Sequence, residues 1–127
     1  MKTDRNHKLV VVIEDDPLVL EATASLLRAW GCRVVAAESC GEAMKELATI
    51  GRRPDLIVCD YRLPQGPNGV DAIGIMRDAF EIPALLISAD VNSPRSEPTT
   101  NGYSLLYKPV NADAFRAALV DACVLRN

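Results

Sequence analysis

The chain holds one histidine, one tryptophan and few aromatic residues of any kind, and it has no C-x-x-C pair and no long apolar run. Each shortage removes a class of protein. Cys32, Cys40, Cys59 and Cys123 are scattered singly with no partner histidines, so both a zinc site and a disulfide framework are poor readings. The cysteines read instead as small apolar residues, and Cys59 as structural, its side chain on the opposite face of its strand from Asp60. A net charge of −3 supplies no global basic field, so direct nucleic-acid contact is not expected. The apolar runs fall far short of a bilayer span, and MKTDRNHK leads into LVVVI rather than a secretory apolar region. The expectation is a cytoplasmic protein without membrane contact. His7, in a polar arm, reads as disordered rather than as a ligand or a phosphohistidine.

What the chain does have is apolar residue in quantity. At 49% of 127 residues, it can bury one sizeable core, and a single domain over 1–127 is expected, with its folded core at about 8–125. No internal repeat or linker interrupts it.

Short apolar runs alternate with longer stretches of helical period, the pattern of βαβ units. Strands are expected at Leu9 to Ile13, Arg33 to Ala37, Leu56 to Cys59, Ala84 to Ile87 and Leu105 to Tyr107. The first is almost wholly apolar, as a central parallel strand covered on both faces should be. Asp16-Pro17 opens a first helix, with Leu18, Ala22, Leu26 and Trp30 as its inward stripe and Gly31 as its stop. Ser39 to Glu42 reads as a capping box for a second helix, facing inward through Ala43, Met44, Leu47 and Ala48. A third runs from about Val70 to Phe80 after the breaker-rich RLPQGPNG, and a last one starts near Asn111. Between Ser88 and Leu105, where a fourth helix is due, Pro94 and Pro98 interrupt ADVNSPRSEPTTNGYS and no apolar stripe can be drawn. A short or irregular segment is expected there.

Chemistry sits where these strands end. Glu14-Asp15-Asp16 follow LVVVI, Asp60 follows LIVC, Ser88 follows ALLI and Lys108-Pro109 follow LLY. Open α/β sheets bind ligands at the carboxyl ends of their strands, so these groups should meet in one crevice. Taken singly, an EDD run is an ordinary solvated turn, Asp60 a strand-end cap, Ser88 a turn residue and Lys108 a surface charge. Their joint placement points to a carboxylate that accepts a phosphoryl group beside a divalent cation.

VVIEDDPLVL, LIVCDYRLP, LLISAD and LLYKPV together resemble the receiver domain of two-component response regulators, over about Leu9 to Leu125. The resemblance implies a flavodoxin-like, doubly wound sheet of five parallel strands in the order 2-1-3-4-5, with helices on both faces. By position, it implies Asp60 as phosphoacceptor, with Ser88 and Lys108 as its catalytic partners. It also implies Mg²⁺ held by Asp15, by Glu14 through water, by Asp60 and by the main-chain carbonyl of Arg62. A cis Lys108–Pro109 bond comes with the same resemblance. Such a domain is no conventional enzyme; it catalyses its own phosphorylation and dephosphorylation. Its implied partners are a histidine kinase or a histidine phosphotransfer protein, with a homodimer possible. CDYRLP, ALLISAD and LLYKPV are similar to receivers of hybrid sensor histidine kinases. One departure stands out: receivers commonly carry Tyr or Phe three residues before the lysine, and here that position is Leu105, flanked out of register by Tyr103 and Tyr107. A haloacid-dehalogenase-like phosphohydrolase would want a second Asp where Arg62 stands. A non-phosphorylated pseudo-receiver would lack one of the acidic, Asp or Lys positions.

Overall fold

Five runs rich in valine, leucine and isoleucine pair side by side as one parallel sheet in a computed structural model that describes residues 7–62, 69–88, 103–108, 111–122, 124 and 125. The strands are β1 (Leu9–Ile13), β2 (Arg33–Ala37), β3 (Leu56–Asp60), β4 (Ala84–Ser88) and β5 (Tyr103–Tyr107). Their order is β2-β1-β3-β4-β5, the doubly wound arrangement expected. The described helices are α1 (Pro17–Ala29), α2 (Cys40–Ile50), α3 (Gly69–Phe80) and α4 (Ala112–Asp121). The segment expected to be irregular between Ser88 and Leu105 lies mostly outside the described residues, as does Pro109.

The sheet separates two apolar layers. Alternate strand residues Leu9, Val11, Ile13, Ile57, Cys59 and Leu86 pack with α2 and α3 through Cys40, Ala43, Leu47, Ile73 and Met76. The intervening residues Val10, Val12, Leu56, Val58 and Leu85 pack with α1 and α4 through Leu20, Leu27, Phe115 and Leu119. Central strands covered on both faces carry no polar interior position, which is why β1 is buried along its whole length.

The helix starts follow from capping chemistry. Asp16 Oδ1 accepts from the amides of Leu18 (2.9 Å) and Val19 (3.4 Å), with Pro17 at the first helical position. Ser39 Oγ accepts from Glu42 N at 3.2 Å, and Glu42 reaches back to the amide of Glu38 at 3.1 Å. Gly51 then closes α2 in the left-handed conformation at φ 71°.

The inward stripe of α1 differs from the expected one. Leu18 is 82% exposed and Ala22 is also exposed, while Leu20, Ala24 and Leu27 are buried. A strict four-residue spacing drifts about 40° around the helix at each step, so Leu18-Ala22-Leu26-Trp30 cannot hold one face. The buried set keeps the true helical period. Trp30 still packs, tilted against Phe115 with ring centroids 5.8 Å apart. On α2, Ala48 is likewise exposed, while Cys40 joins the buried face.

At the amino-terminal rim of the sheet, arginines tie loops together. Asp55 Oδ2 accepts from Leu9 N (2.8 Å) and from Arg52 (3.2 Å), and Arg52 also donates to the carbonyl of His7. His7, expected to be disordered, is thus tied to Arg52 through its carbonyl, while residues 1–6 of the arm lie outside the described residues. Arg53 donates to the carbonyls of Phe80 and Glu81, both at 2.9 Å, and Arg77 to that of Ile82 at 3.0 Å. These bonds hold the end of α3, where Glu81 takes a left-handed φ of 54°.

Candidate functional site

The register of the parallel sheet decides which side chains meet at its carboxyl rim. Ile13 stands opposite Cys59, Asp60 opposite Ile87, and Ser88 opposite Tyr107. Glu14 therefore leaves its strand level with Asp60, Ser88 one residue further along and Lys108 two, all at the same rim. Glu14 is 6% exposed, Asp60 7% and Ser88 1%, unusual burial for two acids.

Carboxylate oxygens of Glu14, Asp15 and Asp60 all lie within 4.8 Å of one another. Lys108 Nζ stands 3.1 Å from Asp60 Oδ1 and 3.5 Å from Glu14 Oε1, bridging the two buried acids. Glu14 Oε2 also accepts from Asp16 N at 3.1 Å, which anchors the carboxylate to the turn leading into α1. The amide of Lys108 donates to the carbonyl of Ser88 at 2.8 Å, locking the lysine to the serine's strand. Asp16 itself is turned to its helix-capping task.

The electrostatics are those of an overfilled acidic pocket. Burial pushes the Glu14 carboxyl above its usual range, with the charge of Asp60 adding to it, against the Asp16 amide and Lys108. Asp60 is raised by burial too, held back by its bond to Lys108 and pushed further by Asp15. Burial alone would lower the lysine, but Asp60 and then Glu14 outweigh it and hold the ammonium above its ordinary value. Three carboxylates facing one lysine leave negative charge uncompensated. A hard divalent cation with oxygen ligands fits that donor set.

Of the residues singled out in the sequence, Glu14, Asp15, Asp60 and Lys108 converge, and Ser88 ends the adjoining strand. Arg62 lies exposed two residues past Asp60, where the described chain pauses. Cys59, fully buried in the layer beneath α3, has its thiol pushed far up by burial, so it is inert, as expected of a structural cysteine. Two features escaped sequence reading. Gly69, at the start of α3, lies against the backbone of Asp60 and Tyr61, and its amide donates to the Tyr61 carbonyl at 2.8 Å. Tyr107 has a buried hydroxyl with no hydrogen-bond partner among the described residues.

Comparison with known proteins agrees with this geometry. The sequence model of the family described as Response regulator receiver domain matches residues 10–120. The transcriptional regulatory protein KdpE of Mycobacterium tuberculosis is 31% identical over 121 residues, covering 94% of this chain and 52% of KdpE. The phyllosphere-induced regulator PhyR of Methylorubrum extorquens is 35% identical over 81 residues, covering 63% of this chain and 30% of PhyR. The chain thus spans about half the length of one of these relatives and less than a third of the other. The solution structure of the Erythrobacter litoralis PhyR receiver domain superposes with a TM-score of 0.76 at 26% identity, over 95% of this chain and 93% of that one. Among the described residues, no helix is long and apolar enough to cross a membrane.

Proposed function

Because the chain belongs to the response regulator receiver domain family of two-component systems, we propose that Asp60 accepts a phosphoryl group from a histidine kinase or a histidine phosphotransfer protein. The observation that carries this reading is Lys108 Nζ spanning Asp60 and Glu14 inside a cluster of three carboxylates. An Asp60 oxygen attacks phosphorus while the bond from phosphorus to the donor's imidazole nitrogen breaks, and the nitrogen leaves with its electron pair. Little proton transfer is needed, so positioning and charge neutralisation carry the rate. Lys108 balances charge on the phosphoryl oxygens and the Ser88 hydroxyl donates to one of them. Glu14, Asp15, Asp60 and the Arg62 carbonyl would hold Mg²⁺, which when bound supplies two positive charges beside the phosphoryl oxygens. Hydrolysis of the aspartyl phosphate, in the same pocket, ends the signal.

The donor's docking surface is proposed at the start of α1. Leu18 is 82% exposed and Val19 38%, directly after the acidic turn. Beside them, Ala22, Thr23, Leu26, Ile87, Asn111 and Phe115 line a cleft of about 170 Å³. An apolar helix of the donor would cover this patch and bring its histidine over the acids. One domain over residues 1–127, acting in the cytoplasm, is the setting that accords with this. Kinship with receivers of hybrid kinases rests on the motifs CDYRLP, ALLISAD and LLYKPV.

Incubation with acetyl phosphate or phosphoramidate and Mg²⁺ should add one phosphoryl group by intact mass. Asp60→Asn and chelation of Mg²⁺ should each abolish the addition. An equal signal in the Asn variant would place the acceptor elsewhere.

A further inference from the structure

We infer that Gly69 is a positioning residue for the phosphoacceptor, and that the absence of its side chain sets where Asp60 and the adjoining metal-ligating backbone sit. The inference rests on the reading of Asp60 as phosphoacceptor. A β-carbon built on Gly69 would lie 2.6 Å from Tyr61 Cα and 2.8 Å from Leu86 Cδ1, and closer still to the Asp60 carbonyl oxygen. Two of those three neighbours are backbone atoms, which cannot turn aside as a side chain can.

The backbone of Tyr61 is held on both sides of its α-carbon, through the peptide from Asp60 and the peptide to Arg62. Tyr61 N donates to the Ile87 carbonyl of β4 at 2.8 Å, and the Tyr61 carbonyl accepts from Gly69 N at 2.8 Å. The chain leaves the acceptor at Asp60 and is back against it at Gly69, where α3 begins. Arg62, whose carbonyl is the proposed fourth protein ligand, stands in the neck that this contact closes. Any side chain at 69 must push either α3 or the Asp60–Tyr61 peptide away. Restoring ordinary contact distances needs a shift of about 1 Å, and a misplacement of that size costs roughly 100-fold in a reaction that depends on positioning. The open surroundings of Gly74, five residues along the same helix, give no such contact. The constraint therefore belongs to the neck rather than to α3 as a whole.

The test compares Gly69→Ala with Leu119→Ala, which removes a fully buried side chain from the core on the other face of the sheet, a cluster that contains none of the site residues. Stability of each is measured by thermal melting, Mg²⁺ affinity by calorimetry, and phosphorylation by acetyl phosphate at a temperature where both are folded. Gly69→Ala should bind Mg²⁺ at least about tenfold more weakly and label roughly 100-fold more slowly, even at saturating Mg²⁺. Leu119→Ala should melt earlier yet keep both properties within about threefold of the unmodified chain, as a change in stability alone does not move the site. Labelling and Mg²⁺ affinity of Gly69→Ala within threefold of the unmodified chain would overturn the inference. Should Gly69→Ala not fold, the unmodified chain decides the matter by NMR. The Gly69 amide should exchange slowly with solvent and shift as Mg²⁺ is added, and an amide that exchanges freely or does not shift overturns the assignment. Failure of the unmodified chain itself to bind Mg²⁺ or take up phosphate would overturn the reading of Asp60 along with that of Gly69.

Discussion

Replacing Asp60 with Asn should make the metal-free protein more stable. Oxygens of Glu14, Asp15 and Asp60 lie within 4.8 Å of one another, so at an effective dielectric of about 20 each repulsion is worth about 3–4 kcal/mol. The Lys108–Asp60 contact at 3.1 Å is worth about 5 kcal/mol on the same scale. The lysine side chain is 32% exposed and Asp15 is not buried, so solvent screening reduces both that attraction and the Asp15 repulsion. Asn loses one attraction and two repulsions, a net gain of about 1–3 kcal/mol. Escaping the desolvation of a nearly buried carboxylate acts in the same direction. For a domain of this size the expected rise in Tm is about 5–10 °C.

The pH dependence follows from the same groups. Burial raises the Glu14 and Asp60 carboxyls. A raised carboxyl contributes stability that is fully present below its unfolded-state value and is lost as pH rises through its folded-state value. The unmodified chain should therefore gain stability on acidification from neutral pH, and its gap to the Asn variant should narrow. Mg²⁺ at one hundred times its Kd would add about 2.7 kcal/mol to a chain that binds it, cancelling or reversing the advantage of Asn. Thermal melts in EDTA and in Mg²⁺, at neutral and mildly acidic pH, read all of this. A lower Tm for Asp60→Asn in EDTA at neutral pH would refute the reasoning, because the lysine pair would then outweigh the crowding.

Gly74 sits inside α3, and a β-carbon added there would meet nothing within 4 Å, so Gly74→Ala should stabilise by about 0.5–1 kcal/mol; a denaturation midpoint that falls instead would contradict the open surroundings. Tyr107→Phe removes a buried hydroxyl that lacks a partner among the described residues and should leave chemical stability equal or raise it by about 1 kcal/mol. A clear loss in urea titration would show that the hydroxyl is paired. Asp16→Ala removes the acceptor of the Leu18 and Val19 amides and should cost about 1 kcal/mol, whereas Asp16→Asn should cost little; equal losses in the two variants would show that charge rather than capping matters there.

Strand order was legible through the resemblance that four short motifs carry, and the meeting of Glu14, Asp15, Asp60 and Lys108 because each motif stands at a strand end. Asp60, Glu14, Asp15 and Lys108 needed only the βαβ alternation to be placed together. The face of α1 was not legible from a spacing of four, since Leu18 and Leu20 are equally apolar and only the packing against β1 and α4 selects Leu20. The role of Gly69 could not be read because PNG signals a turn whatever its glycine touches. A glycine needed for close approach looks the same in sequence as one needed for a turn. The strand limits shifted by one or two residues, with Asp60 and Ser88 inside β3 and β4 and β5 beginning at Tyr103. Sheet pairing continues through a polar residue wherever the neighbouring strand still offers a partner.

The two rims of the sheet are opposite in sign. Among the described residues, Glu14, Asp15 and Asp60 outnumber Lys108 at one end of the strands, while Lys8, Arg33, Arg52, Arg53 and Arg77 outnumber Asp55 and Glu81 at the other. The described residues thus form an electric dipole laid along the strands, although the net charge of the chain is only −3. A cation or a basic partner surface approaching from the wrong side exerts a torque that turns the acidic end toward it before contact. At physiological ionic strength this reorientation acts only over roughly the last 8 Å. Encounter rates with cationic partners should therefore fall with added salt more steeply than the net charge alone accounts for.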